Sequence, residues 1–398
     1  MDREHADAER ASSGCVSKPL QGLRVLEVGS TMSAPYCAML LAQLGAAVVK
    51  VEPPEGDITR RIGPSRTTGM ASLFLALNAD KQSVVLDLRS ECGRDDLQSL
   101  IATSDVVIHN MRPAAARRAG LAPESVRERH ASVVLCTIQG YATGSGAEDV
   151  PAYDDIIQAS SGMLSVQASL GSQPTYVATV LADKTSGMMG AMMILAALRH
   201  RDIHGRGTAI EIPMLDVMTG FALIEHLGGE TFEPALGPSL YPRITSPNRG
   251  PYRTSDGWLS VTIYTPAHWE KFLGHIGRSE LLDDPRFRDV AARAENIGAL
   301  YQIVEGLMPT GTTANWLEVF KRLDIPATAI GDARQMLAER GPGSVTYALE
   351  HPSEGTLRYL PLGVRFDGEE PRSSQPPPHL GEHTRDVLKE RAEVRSRE

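Results

Sequence analysis

Apolar and polar positions alternate along this chain with two different periods, and the changes of period mark out its elements. Leu23–Gly29 (LRVLEVG) is a short, nearly continuous apolar run, the pattern of a strand buried on both faces. Ala34–Leu44 switches to helical spacing and stops at Gly45, and Val48–Glu52 (VVKVE) makes a second strand. Strand, helix and strand within about thirty residues form a βαβ unit. Such a unit begins a doubly wound α/β sheet, whose ligand belongs outside the carboxyl ends of the strands. The alternation predicts further strands at Ser83–Leu88, Asp105–Asn110, Ser132–Ile138 and Thr208–Ile212, with a helix at Glu91–Thr103.

The stretch that organises the rest is Val180–Arg201. It predicts a long apolar helix with small residues near its start (Ser186, Gly187, Gly190, Ala191) and larger ones after them. Arg199, His200 and Arg201 favour its negative end, and Asp183 falls at or beside its N-cap. Leu215–Leu227 also reads as helix. Residues 228–251 are rich in Gly and Pro and read as a linker or lid. A smaller unit follows at 252–330, opened by the hairpin signal RTSDGWLSVTI and continued by amphipathic helices at Thr265–Ile276, Ala291–Leu307 and Ala314–Leu323. Residues 331–375 form a return linker with weak strands, and 376–398 end in a helix that returns to the large domain spanning 19–227. Residues 1–18 are expected to be a disordered tail.

Composition narrows this picture. A chain of 398 residues exceeds one ordinary core, so two domains are expected, and 42% hydrophobic with 22% charged residues is a soluble globular balance. The net charge of −9 is spread along the chain without a basic stripe, so nucleic acid is not an expected partner. Cys15, Cys37, Cys92 and Cys136 lie far apart with no CxxC, which suits a reducing, cytoplasmic setting. No apolar run has the length of a membrane span, and no signal-peptide core precedes the first strand.

Several chemistries lose their motif. The first strand–helix turn is GSTMSAP, without the glycine spacing that a dinucleotide pyrophosphate requires. GxSxG and Walker loops are missing too, so the hydrolase and kinase templates fail. His379 and His383 stand at i, i+4 without a third ligand, and no metal is expected. Arg89, Asn110 and Arg118 fall at strand ends or just beyond, where cations suit an anionic, phosphate-bearing ligand. Asp183, taken alone, reads as a helix cap.

The residues carry a resemblance from about Leu20 to Lys389. LQGLRVLEVGSTMSAPYCAMLLAQLGAAVVKVEPPEGD, LNADKQSVVLDL, VVIHNMRPAAARRAGL, GYATG, AYDDIIQASSGML, LADKTSGMMGAMMILAALRHRDIHGRG, PYRTSDGWLSV, DDPRF, DIPATAI and LGEHTRDVL follow in that order. Together they resemble the class III coenzyme A-transferases, the family that includes formyl-CoA:oxalate and carnitine CoA-transferases and the related α-methylacyl-CoA racemases. The resemblance implies a Rossmann-like CoA-binding domain plus a smaller α+β domain, in a homodimer whose two chains interlock as rings. It implies acyl-CoA and small carboxylic acids as substrates, with no cofactor beyond coenzyme A itself. The aspartate of the LADxxSG segment, Asp183 here, becomes the covalent nucleophile. The matching CoA-binding positions are Met32, Ser33, Leu86, Leu88, Arg89, Asn110, Met111 and Arg118, and Met32, Tyr153 and Asp154 line the acyl pocket.

Two departures separate transfer from racemisation. Racemases of this fold carry a histidine in a GHD segment, where this chain reads AYDD with Tyr153, and a glutamate in a GAIE segment, where it reads TIYT with Tyr264. A phenol with a pKa near ~10 is a poor partner for proton exchange at neutral pH. The expected activity is therefore CoA transfer between carboxylic acids, with an isomerase or a non-catalytic acyl-CoA-binding protein as alternatives. Met32 stands where the formyl-CoA enzyme has glutamine, and that enzyme's long glycine loop has no counterpart, so a formyl or oxalate substrate is not expected. Backbone N–H groups of the Gly140–Gly146 loop or of the turn after the first strand are the expected oxyanion donors.

Overall fold

The structure, a computed structural model, describes residues 18–171, 173–340 and 344–395. Almost all of the expected tail therefore lies outside the described residues. The described chain divides into two units: residues 18–157, 180–218 and 344–395 form one, and 158–171, 173–179 and 219–340 form the other.

The first unit is built on six parallel strands, β1 (Arg24–Glu27), β2 (Ala47–Glu52), β3 (Lys81–Val85), β4 (Val106–His109), β5 (Val134–Gln139) and β6 (Ala209–Pro213), in the order β3-β2-β1-β4-β5-β6. Each forms within two or three residues of the predicted position, because unbroken apolar runs leave no other way to bury both faces. The strand order reverses between β1 and β4, which opens a crevice at their carboxyl ends. On one face, Leu97, Leu100 and Ile101 of helix α2 (Glu91–Ala102), Ala116 of α3 (Pro113–Arg118) and Val387 of the C-terminal helix Thr384–Arg395 pack with Leu26, Val49, Val84, Val107 and Leu135.

The opposite face holds α1 (Ser33–Gln43) and the long helix α5 (Leu181–His204); between them in sequence lies α4 (Asp154–Ser160). The small residues at the start of α5 now have a physical reason. A Cβ at Gly187 would stand 2.8 Å from the Ser33 carbonyl oxygen and 3.0 Å from the Tyr36 ring, so the helices approach each other as closely as backbones allow. Gly190, one turn on, sits over the Cys37 and Cys136 sulfurs and Ile138. Ser186, Ala182 and Ile194 complete the buried stripe.

The second unit contains a three-stranded sheet of β7 (Tyr252–Arg253), β8 (Trp258–Val261) and β9 (Ala327–Ala329), all antiparallel, with the predicted DG turn joining the first two. Helices α6 (Pro266–His275), α7 (Val290–Glu295), α8 (Ile297–Leu307) and α9 (Thr313–Leu323) surround it. The helix expected over Ala291–Leu307 is broken at Asn296, whose side chain donates back to the Ala292 carbonyl and ends α7. Its core is aromatic: Phe320 stacks on Phe272 and Trp316 at centroid separations of 5.9 and 5.7 Å, beside Trp269.

The chain then completes the first unit. Hairpin β10 (Tyr347–His351) and β11 (Gly355–Tyr359) packs Tyr347 and Tyr359 on Ala79. Beyond it, Ser374 and Gln375 donate backbone N–H groups to Asp80, and the backbone N–H of Val85 donates to Thr384 Oγ1, so the returning segment covers the edge strand β3. His379 and His383 serve in the same junction, bonded to Ser353 Oγ and to the Ser83 backbone N–H. The three described cysteines, Cys37, Cys92 and Cys136, are free. Among the described residues no helix is long and apolar enough to cross a membrane.

The close approach of α5 to α1 yields a test. Gly187→Ala is expected to lower unfolding free energy by roughly 1–3 kcal/mol, because the obstructing atom is a backbone carbonyl that cannot swing aside. Gly190→Ala, which meets only side-chain atoms at 3.3 Å or more, should cost less. Urea unfolding of the two variants measures this; equal stabilities would contradict the packing argument.

Candidate active site

Asp183 lies in the first turn of α5, partly buried, and lines a cavity of about 280 Å³ at the crevice. The other walls are Ser30, Thr31 and Ser33 after β1, Arg112 after β4, Gln139 and Gly140 at the end of β5, and Tyr153. A second cavity of about 340 Å³ opens beside it between the ends of β1, β2 and β3, lined by Pro53, Leu86, Leu88 and Arg89 among others. Ser30, Asn110 and Met111 belong to both, so the two cavities are neighbours along the crevice.

The turn after β1 is fixed from two sides. Asn110 accepts from the Ser30 N–H at 3.1 Å and donates to the Ser30 carbonyl at 2.8 Å and to Ser33 Oγ at 3.2 Å. Thr31 is left-handed, with φ of 70°, a cost for a β-branched residue that its surroundings must hold in place. Its N–H donates to Asp57 Oδ1, which also caps Thr59. Beneath the turn, Lys50 Nζ donates to the Gly29 carbonyl at 3.0 Å and pairs with Glu27 at 2.6 Å and Asp57 at 2.9 Å, all three side chains out of contact with solvent or nearly so. Lys81 joins Glu27 from the next strand at 2.8 Å, and burial drops its amine to about 8. Glu52 holds Arg60 at 2.7 Å, and Arg60 reaches the Pro378 carbonyl of the returning segment. The effect is a buried ionic frame under a loop with a strained residue.

Asp183 has the opposite environment. Its backbone N–H donates to Asp154 Oδ1 at 3.0 Å, and Asp154, at the start of α4, is only 6% exposed. Burial first, and the Asp154 charge second, push the Asp183 carboxyl up to about 7. These two effects outweigh the favourable position of Asp183 in the first turn of α5. A carboxyl held near neutrality in a cleft has the raised basicity expected of a nucleophile or a proton-transfer group.

The sequence-predicted residues divide into groups. Leu86, Leu88, Arg89, Asn110 and Met111 come together around the second cavity. Arg89 shares it with Asp87, to which its Nε donates at 2.8 Å, and with Glu55. Ser33, Tyr153 and Asp183 line the first, Tyr153 with 71% of its surface exposed. Met32 is buried as the N-cap residue of α1, between wall residues Thr31 and Ser33. Asp154 stands behind Asp183 as its hydrogen-bond partner. Arg118 is exposed at the end of α3, outside the walls of both cavities. Sequence reasoning passed over Arg112 and the Lys50–Asp57 pair. Arg112 was findable, since it lies three residues after β4 and directly before a helix-starting proline; the pair needs the fold to bring Asp57 back under the turn.

Comparison with known proteins places the chain. The family model for CoA-transferase family III matches residues 20–384. The probable fatty acyl-CoA transferase of Mycobacterium tuberculosis is 28% identical over 383 residues, covering 92% of this chain and 96% of that one. The mouse (Mus musculus) succinyl-CoA:glutarate CoA-transferase is 28% identical over 392 residues, covering 96% and 88%. The crystal structure of a CaiB/BaiF family protein from Brucella suis superposes with a TM-score of 0.75 at 26% identity, covering 94% of this chain and all of that one. A six-stranded parallel sheet with an acidic residue opening its longest helix, matched along nearly its whole length, makes this chain a member of CoA-transferase family III.

Proposed function

We propose that this protein moves coenzyme A from an acyl-CoA donor to a carboxylic acid acceptor, with Asp183 as the covalent nucleophile. The observation that carries the reading is the position of Asp183: a carboxyl raised to about 7, on the wall of a cavity that shares Ser30, Asn110 and Met111 with the space framed by Leu86, Leu88 and Arg89. In this reading the second cavity takes the CoA moiety and the first takes the acyl group and the acids.

The Asp183 carboxylate attacks the thioester carbonyl carbon, and the C–S bond breaks to release CoA thiolate, leaving a mixed anhydride. The thiolate then attacks the Asp183 carbonyl carbon, expelling the donor acid and forming an aspartyl-CoA thioester. The acceptor carboxylate attacks that carbonyl, CoA thiolate leaves again, and a new anhydride links Asp183 to the acceptor. Attack of the thiolate on the acceptor carbonyl releases the new acyl-CoA and the free Asp183 carboxylate. Each attack builds an oxyanion that needs preorganised donors. The Ser30 and Thr31 N–H groups are taken by Asn110 and Asp57. The Ser33 and Ala34 N–H groups, in the first turn of α1 that no side chain caps, are the donors we assign.

The substrates we assign are short dicarboxylic acids and their CoA thioesters, by analogy with the glutarate-using relative. An interlocked homodimer belongs to the same reading, on family membership. The isomerase alternative needs two matched bases; the cavity offers Asp183 and an exposed phenol, Tyr153.

Asp183→Asn is expected to lower CoA transfer by at least about a thousandfold, since the amide cannot form the anhydride. It is measured by following labelled CoA between succinate and glutarate. Full activity in the variant would end this reading, and loss of α-deuterium from an acyl-CoA to solvent would favour the isomerase instead.

The carboxyl must be ionised to attack, so kcat/KM should rise with pH through an apparent pKa near 7. Asp154→Asn keeps a hydrogen-bond acceptor for the Asp183 N–H but removes the charge that helps raise the carboxyl. The limb should move to lower pH while remaining above an ordinary aspartate, because burial persists. An unmoved or upward-shifted limb would contradict the electrostatic assignment.

A further inference from the structure

The second unit holds a cavity of about 200 Å³ that none of the reaction steps above uses. Two arginines line it, Arg243 and Arg293, together with Tyr241, Tyr264 and Trp269. Neither guanidinium has a carboxylate within 4 Å among the described residues, and no Asp or Glu belongs to the wall. Arg293 is 9% exposed, and its Nε donates to the Phe287 carbonyl at 3.1 Å, a neutral partner that leaves its charge unbalanced. The Arg243 guanidinium stacks over the Tyr264 ring, 4.9 Å from the centroid. Its Nε is shut off from solvent and has no hydrogen-bond partner. A buried donor left unmatched is costly, so it calls for an explanation.

Other features of the wall add to the positive potential. Thr265 and Pro266 bring the start of the ten-residue helix α6 to the cavity; the Thr265 hydroxyl caps the His268 N–H, so the helix adds its dipole there and not an open donor. Burial and the adjacent Tyr264 phenol push the Tyr241 hydroxyl up, which keeps it a neutral donor. Two guanidiniums, a helix N-terminus and phenol donors without a single acid define an anion site. The planar fork of arginine matches a carboxylate with two parallel hydrogen bonds. Size selects among anions. The cavity is smaller than the roughly 300–1,000 Å³ of cofactor and drug-sized pockets, so a nucleotide does not fit while a carboxylate with a few carbons does.

We propose that this cavity is a binding site for the carboxylate of a small organic acid, with Arg243 as its main contact. That the acid is one of those exchanged for CoA rests on the function proposed above; the anion site itself does not.

The test titrates the full-length protein with glutarate, following tryptophan fluorescence and heat, because Trp269 forms part of the wall. Saturable binding is expected. Arg243→Gln should weaken it at least about tenfold, a loss of ~1.4 kcal/mol, and Arg243→Lys less, since it keeps charge without the fork. Val290→Glu, which places the chain's own carboxylate on an exposed part of the wall, should weaken it as well without disturbing the core. Absence of saturable glutarate binding, or unchanged affinity in both Arg243→Gln and Val290→Glu, overturns the site. So does Arg243-dependent binding of adenosine 3′,5′-bisphosphate in place of the acid. Glutarate binding that depends on Arg243 in a protein unable to transfer CoA would sink the transferase reading and leave the site standing. CoA transfer with binding indifferent to Arg243 would do the reverse.

Discussion

The closest constraint in the first unit is the contact of α5 on α1 at Gly187. Without a side chain there, the α5 backbone comes down onto the Ser33 carbonyl and the Tyr36 ring, and Asp183, one turn earlier, arrives beside the turn that follows β1. A bulkier residue would lift the start of α5 away from the crevice and withdraw the carboxyl from the Ser30–Ser33 wall. The run of small residues is thus a packing requirement with a chemical consequence.

Two kinds of charge environment meet at that turn. Below it, Lys50, Glu27, Lys81 and Asp57 are buried but paired, so each ion has a partner and the frame is rigid. Above it, Asp183 is partly buried beside a like charge, so its carboxyl is held near neutrality. The raised carboxyl carries a stability cost. Its native-state pKa exceeds that of an unfolded aspartate, so its contribution is fully present below about pH 4 and is lost as pH rises through about 7. The paired frame offsets part of this cost and holds Thr31 in its left-handed conformation at the same time.

Much of this was legible in the chain. Apolar runs placed all six central strands to within two or three residues, since a strand covered on both faces has a pattern no surface element imitates; β3 came out two residues late because Lys81 and Gln82 look like solvent-facing positions. Its place at the start of a long apolar helix marked Asp183 only as a cap; its assigned role, like those of Leu86, Leu88, Arg89, Asn110 and Met111, came from motif resemblance, and the last five do gather at one cavity. The buried frame was not legible. Glu27, Lys50 and Lys81 interrupt apolar strands one residue at a time, and only the register of β1, β2 and β3 brings them side by side. Arg243 and Arg293 are 50 residues apart in sequence, in a stretch that reads as linker and in a short helix, so their convergence required the folded second unit.

The central claim is that one carboxylate carries its own cargo covalently during turnover. Incubation of the wild-type protein with succinyl-CoA, trapping with borohydride or hydroxylamine, and mass measurement of the peptide containing Asp183 test it directly. The account predicts a modification at Asp183 that appears with the donor, is absent without it, and disappears when acceptor acid is added before the trap. Modification of another residue, or an unmodified Asp183 in protein that is transferring CoA, would contradict it.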